Sequence, residues 1–321
     1  MHLPAAHYEV AVVGGGLMGC GIASLFALAG FDVLVYDSEA AVLERVKENC
    51  AAVFVELAVA KVITQSQVAA AEAKVHIASS LASLSEASLV FEAIVESVTA
   101  KQALYQALED VLSPRSILAS TTSSIVPEVL GEGLRRPSQF AVAHFWNPPH
   151  IIKLVEVVPS PETSAATLAT LIDRLTAADC KPVLLRKSAP GFIGNRLQFA
   201  VLREALSMLR AGIADAETID EVMKQSLGRR YRWIGPLEGA DIGGLDTFLA
   251  IGSQLLPHLS SDAEGLEVLR ALVDKKRGGR RDGHGIYLWD VDREVRLSES
   301  RLRMLTEALH PAPGSTVRHA S

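Results

Sequence analysis

Four polar side chains stand where proton-transfer chemistry can be done. His144 opens HFWNPP after the apolar run Phe140 to Ala143. Histidine titrates near working pH, so at a strand tip facing a redox cofactor it is a natural general base. Twelve residues on, Glu156 interrupts the apolar stretch KLVEVV. A carboxylate in that setting is costly unless paired, and a pairing with His144 would orient the imidazole and stabilise the imidazolium formed when a proton is taken. Taken singly, a packed core histidine and an edge-strand glutamate are the plainer readings; together, beside a nucleotide-binding motif, they favour chemistry. Asn195, one turn into a helix after PGFIGN, can bond a substrate carbonyl or serve as a structural cap. Ser123, in the cluster Ser120 to Ser124, can donate to a substrate oxygen or belong to an ordinary serine-rich turn.

The motif that gives these residues a setting runs from Glu9 to Asp37, EVAVVGGGLMGCGIASLFALAGFDVLVYD. Val10 to Val13 is an apolar run suited to a doubly covered parallel strand. Gly14, Gly16 and Gly19 follow in G-x-G-x-x-G spacing around Leu17 and Met18. Gly14 permits the tight turn, Gly16 lets a pyrophosphate approach the backbone, and Gly19 lets helix and strand pack closely. The helix start supplies free N–H groups and a positive dipole end. Asp37 comes 18 residues after Gly19, where a carboxylate binds the adenosine ribose hydroxyls and repels a 2′-phosphate. No arginine adjoins it, so the cofactor read here is NAD rather than NADP. Strand, glycines, helix, second strand and terminal acid all occur in register; the competing reading is a glycine-rich turn of some other α/β protein.

The elements that must position these groups alternate along the first half. Helices are expected over Leu17 to Ala29, Ser38 to Lys61, Thr64 to Ala73 (with Thr64 and Gln67 as a capping box), Ala100 to Leu112 and Thr163 to Ala178. Pro127 suits the first turn of a short helix. Strands are expected over Phe31 to Tyr36, Val75 to Ala78, Ser88 to Val95, Ser116 to Ala119, Phe140 to Ala143, Leu154 to Val158 and Val183 to Arg186. This alternation argues an α/β fold, a Rossmann-type doubly wound and mostly parallel sheet, with Asp37, Glu96, Ser120 to Ser124 and His144 on one edge. From Pro190 the pattern is helical: Gly191 to Gly212, Asp215 to Gln225, Leu245 to Leu256 and Ala263 to Lys275, with strand-like alternation only at Gly285 to Trp289. The expected division is a nucleotide-binding domain over 1–189, an all-helical C-terminal domain over 190–309 for substrate and dimerisation, and a disordered Pro/Gly/Ser-rich tail over 310–321.

Composition narrows the function classes. The chain has 321 residues, 49% of them apolar, and a net charge of −6, which supports a large core and disfavours nucleic-acid binding. Arg277 to Arg281 is the densest basic patch and reads as a solvated loop, or else as a contact for a phosphate or an interface. Cys20, Cys50 and Cys180 are odd in number and far apart, so they read as reduced packing residues of a cytoplasmic protein. Neither a signal peptide nor a membrane span is evident, and no metal is expected.

GGGLMG, FEAIVE with Lys101 after it, STTSSI, HFWNPP, KLVEVV, PGFIGNR and IGPLEGADIGGLD occur in this order. With these motifs the chain resembles the L-3-hydroxyacyl-CoA dehydrogenase family over nearly its whole length. The resemblance implies His144 as base, Glu156 as its partner, and substrate contacts from Ser123 and Asn195. It implies NAD contacts at Gly14, Gly16, Leu17, Met18, Gly19, Asp37, Ala93, Glu96, Lys101 and Ser123. A homodimer joined through the helical domain is implied as well.

Two departures bear on the substrate. Acyl-CoA members typically carry a lysine-rich hairpin after the second strand that can meet the phosphates of CoA, whereas Ala51 to Lys74 contains only Lys61 and Lys74. SLGRRYRWIGPLE, from Ser226, is longer and more basic than the acyl-CoA pattern and resembles the branch acting on free small acids: L-gulonate 3-dehydrogenase with lambda-crystallin, and carnitine dehydrogenase; NPPHIIKLVEV resembles that branch too, and a relative that oxidises a pyridine carboxylate. Arg229, Arg230 and Arg232 can clamp a carboxylate; a solvated turn or dimer contact is the competing reading. Three classes follow: a 3-hydroxyacyl-CoA dehydrogenase, a dehydrogenase of a free hydroxy acid, and a non-catalytic crystallin-like NAD-binding protein.

Overall fold

The computed structural model describes residues 8–261 and 266–308. They form two compact units, 8–196 with 302–308, and 197–301. The first is built on one eight-stranded sheet. Its strands are β1 (Val10–Val13), β2 (Val33–Tyr36), β3 (Val75–Ile77), β4 (Leu89–Glu92), β5 (Ile117–Ser120), β6 (Phe140–Phe145), β7 (Leu154–Pro159) and β8 (Lys181–Leu184), in spatial order β3-β2-β1-β4-β5-β6-β7-β8. Every pairing is parallel except β6 with β7. Helices α1 (Leu17–Leu28), α2 (Ala40–Val59), α3 (Gln65–Glu72), α4 (Val98–Val111), α5 (Pro127–Leu130) and α6 (Ala165–Ala177) make the crossovers.

Successive strand residues point to opposite faces, so β1 feeds two cores. Val10 and Val12 join Ile22, Phe26, Phe54, Phe91 and Leu171 on one side. Ala11 and Val13 join Leu84, Tyr105, Leu108 and Phe140 on the other. Helix α1 is buried from Gly19 to Ala27, as an all-round apolar helix must be. Helix α3 carries the expected capping box of Thr64 and Gln67, and α5 has Pro127 in its first turn. The three cysteines are buried and unpaired.

Some expectations are corrected. Strand β4 stops at Glu92, so Glu96 sits in the loop beyond rather than at the strand's tip. Strand β6 runs on through Phe145, so His144 lies inside it. Ala263 to Lys275 was expected helical, and of the described part Glu267–Asp274 is. Gly285 to Trp289 is no strand; that stretch makes only isolated bridges, His284 pairing with Gly279 and Leu288, because no neighbouring strand offers it a ladder. Residues 310–321 lie outside the described residues.

Helix α7 (Gly194–Arg210) starts within the first unit, which also keeps Pro190 to Arg196. The reason is packing: Phe192 is buried with Val142, Val158 and Leu185. The second unit holds α8 (Ala216–Met223), a π-helical turn at Lys224–Gly228, α9 (Arg229–Tyr231), α10 (Pro236–Gly243), α11 (Leu245–Leu255), α12 (Glu267–Asp274) and most of α13 (Val291–Ala308). The basic patch is largely neutralised here, Arg280 by Glu294 and Arg281 by Asp282. No helix among the described residues is long and apolar enough to cross a membrane.

Candidate active site

Strand pairing brings the acid and the base together. β6 and β7 run antiparallel with His144 directly opposite Glu156, and cross-strand neighbours lie within side-chain reach. His144 Nδ1 and Glu156 Oε2 are 2.9 Å apart, both side chains almost fully buried. The other carboxylate oxygen, Oε1, accepts the backbone N–H of Ile193 at 2.8 Å and of Gly194 at 3.0 Å. Burial pushes the Glu156 carboxyl up, but the hydrogen bonds from His144, Gly194 and Ile193 outweigh it and hold its pKa below the ordinary value. An ionised Glu156 can only accept, so Nδ1 carries the hydrogen and Nε2 keeps the lone pair. The rings of Trp146 and Phe192 lie near the imidazole, their centroids at 5.7 and 5.5 Å and each inclined at 52°.

The serine turn after β5 is pinned by Glu96. Glu96 Oε1 accepts the hydroxyls of Thr122 and Ser124 and the Ser123 N–H. Its Oε2 lies 3.3 Å from Lys101 Nζ. Burial raises the Glu96 pKa, yet the Thr122 hydroxyl, the Lys101 charge and the Ser123 N–H bring it below the ordinary value. Asn195 Nδ2 donates to the Ser123 carbonyl at 2.8 Å, which ties the first turn of α7 to that loop.

The glycine turn leaves open space at Gly16. Gly14 has a φ of +108°, and a Cβ there would meet the Ala93 carbonyl oxygen at 2.5 Å. A Cβ on Gly19 would come within 1.7 Å of the Gly14 carbonyl oxygen, whereas one on Gly16 would meet nothing within 4 Å. Gly14 is thus required by the turn and Gly19 by the close packing of α1 against it, while Gly16 borders open space. No side chain caps the start of α1 at Gly16, leaving its N–H groups to a phosphate. Asp37 accepts the Gly15 N–H at 2.8 Å and the Glu39 N–H at 2.9 Å, so its carboxylate is fixed at the end of β2.

Models of two domains cover the chain. The 3-hydroxyacyl-CoA dehydrogenase NAD binding domain matches residues 9–188, and the C-terminal domain of the same family matches 191–289. The chain belongs to the 3-hydroxyacyl-CoA dehydrogenase family. It is an NAD-dependent oxidoreductase acting on a CH–OH group. A probable 3-hydroxybutyryl-CoA dehydrogenase of Deinococcus radiodurans is 36% identical over 281 residues, 86% of this chain and 98% of that one. A 5-formyl-3-hydroxy-2-methylpyridine 4-carboxylate 5-dehydrogenase of Mesorhizobium japonicum is 29% identical over 298 residues, 92% of this chain and 96% of its own. The solved structure of a dehydrogenase of that name superposes with a TM-score of 0.85 at 28% identity, covering 94% of this chain and 97% of the other.

This family member holds one charged group that the sequence reading passed over. Glu92, fully buried at the end of β4, accepts from Lys101 Nζ at 2.6 Å, Tyr105 OH at 2.6 Å, Ser120 OH at 2.7 Å and the Ile94 N–H at 2.9 Å. Burial, with the Glu92 charge beside it, pushes the Tyr105 pKa well up. Glu92 sits in SLVFEAIV as Glu156 sits in KLVEVV, and the same rule, a carboxylate inside an apolar strand, would have found it. Lys101, expected at the cofactor, is itself fully buried between Glu92 and Glu96. Arg229, Arg230 and Arg232 lie in the helical unit, exposed after the π-helical turn, with Arg232 stacked 5.2 Å over Trp233. The first unit thus gathers His144, Glu156, Ser123 and Asn195; the arginines belong to the other.

Proposed function

We propose that this enzyme interconverts an L-3-hydroxyacyl-CoA, such as 3-hydroxybutyryl-CoA, and the 3-oxoacyl-CoA, with His144 as the base and Glu156 as its partner. The observation that carries the reading is the His144–Glu156 bond at 2.9 Å, with Glu156 held ionised by two backbone N–H groups. In oxidation, Nε2 of His144 takes the hydroxyl proton as the hydrogen on the same carbon leaves with its electron pair. NAD, when bound, supplies the hydride acceptor at C4 of its nicotinamide. Glu156 stabilises the imidazolium that forms, and in reduction the imidazolium returns the proton. The Ser123 hydroxyl donates to the substrate oxygen. Asn195 spends one amide hydrogen on the Ser123 carbonyl and offers the other to a substrate carbonyl. Gly14, Gly16, Leu17, Met18, Gly19, Asp37 and Ala93 would hold NAD, with Glu96, braced by Lys101, at the Ser123 turn. His144→Ala should abolish turnover and leave NADH affinity nearly intact; a near-normal rate would refute the assignment.

A second reading is oxidation of a free hydroxy acid. It is supported by the likeness to the pyridine carboxylate enzyme, and by Lys74, one of the two lysines between Ala51 and Lys74, being paired with Asp32 at 2.7 Å. In that case Arg229, Arg230 and Arg232 clamp the carboxylate. NAD reduction measured with L-3-hydroxybutyryl-CoA, L-gulonate, carnitine and free L-3-hydroxybutyrate separates the two. Turnover of the thioester alone supports the first. Turnover of a free acid, lost in Arg230→Ala or Arg232→Ala, supports the second. Tight NAD binding without turnover would favour a crystallin-like role.

A homodimer through the helical unit completes the proposal. Helices α8 to α12 bury no residue among those described, and Leu237, Ile242, Leu249 and Leu256 are exposed. An apolar surface of that kind calls for a partner face. Light scattering should give twice the 34.3 kDa chain mass; a monomer at micromolar concentration would refute it.

A further inference from the structure

Phe192 adopts a backbone conformation that a bulky side chain avoids. Its φ is +50°, and Gly191 before it has +74°. Glycine takes the left-handed region freely, but phenylalanine does so at an energetic cost, and such residues persist where the surroundings impose them. Two things follow from the turn. The Phe192 ring, 1% exposed, enters the cluster of Val142, Val158 and Leu185 and lies 5.5 Å from the His144 ring, inclined at 52°. The chain then leads straight into Ile193 and Gly194, whose N–H groups both reach Glu156 Oε1. The Trp146 ring also lies near the imidazole, at 5.7 Å, in a place that a Cβ on Gly194 would strike at 2.1 Å.

We propose that Phe192 is a positioning residue for the acid–base pair: its left-handed turn seats a ring against His144 and aims two backbone N–H groups at Glu156. A phenylalanine that merely filled the core would have no reason to occupy this region of backbone space, since the same ring can be buried from an extended or helical residue. The turn fixes both members of the pair at once. His144 is held at Nδ1 by Glu156 and packs near two tilted rings; Glu156 is held at Oε2 by His144 and at Oε1 by the residues that follow Phe192. The inference rests on the oxidoreductase reading of the site, so its test needs a readout that does not depend on the substrate.

The test is Phe192→Leu, which keeps apolar bulk and loses the ring, beside Phe192→Tyr, which keeps the ring. The Nδ1–H resonance of His144 is followed in protein labelled with ¹⁵N-histidine and assigned as the signal missing from His144→Gln. Turnover is measured per NADH-binding site by fluorescence titration. In Phe192→Leu the resonance should shift upfield or broaden, and kcat per site should fall at least tenfold with NADH affinity within twofold. Phe192→Tyr should keep the resonance and most of the rate. Should Phe192→Leu fail to fold, Phe192→Met, also unringed and more adaptable, takes its place. An unchanged resonance and kcat per site in the leucine or methionine variant would overturn the proposal, as would a loss explained wholly by fewer NADH sites. If the wild-type enzyme turns over none of the hydroxy compounds while the resonance still responds, the functional reading fails and the positioning role stands.

Discussion

Glu156→Gln is the sharpest perturbation of the site. The amide keeps size and shape, and its oxygen can still accept from Ile193 and Gly194. What it cannot do is accept from His144 Nδ1 with its nitrogen, which carries hydrogens instead of a lone pair. Nδ1 must then become the acceptor, and the ring hydrogen moves to Nε2, the atom that has to take the substrate proton. The equivalent acid-to-amide change behind the histidine of a serine-protease triad costs about 10⁴ in kcat, and loss of a positioned base costs about 10²–10⁴. A fall in kcat of about 10²–10⁴, or about 2.7–5.5 kcal/mol of barrier, is therefore expected, with NADH affinity unchanged. Stability should drop by about 1.5–3 kcal/mol, the worth of one hydrogen bond to a charged group. Its pH dependence has a definite sign. The folded pKa of Glu156 lies below its ordinary value of 4.5, so the carboxylate stabilises the fold above that pH and the contribution is lost as pH falls through the folded pKa. Glutamine does not titrate. The gap in Tm between wild type and variant should close below pH 4.5. Steady-state kinetics and thermal melts from pH 3 to 8 check both. A kcat within threefold of wild type, or a Tm gap independent of pH, would refute the reasoning.

Three other outcomes follow from the geometry. Gly16→Ala should leave Tm unchanged but weaken NADH binding, because its Cβ would enter only the open space of the cradle, whereas Gly19→Ala, 1.7 Å from a carbonyl oxygen, should lower both; melts and NADH titration separate them. Lys101→Met should cost about 3–5 kcal/mol in urea unfolding, since it leaves Glu92 charged and fully buried, and the double variant with Glu92→Met should recover much of that. Ser123→Ala should lower kcat/KM for the hydroxy substrate and leave NADH affinity alone, because the Ser123 bonds to Glu96 and Asn195 run through its backbone; Asn195→Ala, which cuts one of them, should impair both. Equal effects of the two on NADH binding would count against that division.

Local signals carried the nucleotide half. The strand, glycine turn and helix from Val10 to Leu28 follow from residue types read a few positions apart, and so does the capping box at Thr64. What failed was decided at longer range. β6 extends to Phe145 because β7 returns beside it; the pairing of His144 with Glu156 was expected, but not the antiparallel strands that set the two opposite each other inside the sheet. Helix α10 was not foreseen because PLEGADIG carries glycines that argue against a helix; α13 was passed over although Val291, Val295, Leu302 and Leu305 form an apolar stripe at helical spacing among its charges. The left-handed Phe192 is illegible in principle: nothing in PGFIGN distinguishes it from a phenylalanine that starts a helix.

The two halves of the chemistry are joined by an unbroken run of bonds. Glu92 holds Lys101, Lys101 reaches Glu96, and Glu96 fixes the Ser123 turn. The Ser123 carbonyl receives Asn195, Asn195 lies in the first turn of α7, and the residues that open that turn bind Glu156 and through it His144. Hydride transfer and proton transfer act on one carbon and its oxygen, so the groups serving each must be held to within a fraction of an ångström of the other. A run of bonds through backbone groups and buried charges does this without either site touching the other. On the proposed assignment, the loop after β4, the turn after β5 and the start of α7 are joints in the path that keeps the base in register with the cofactor.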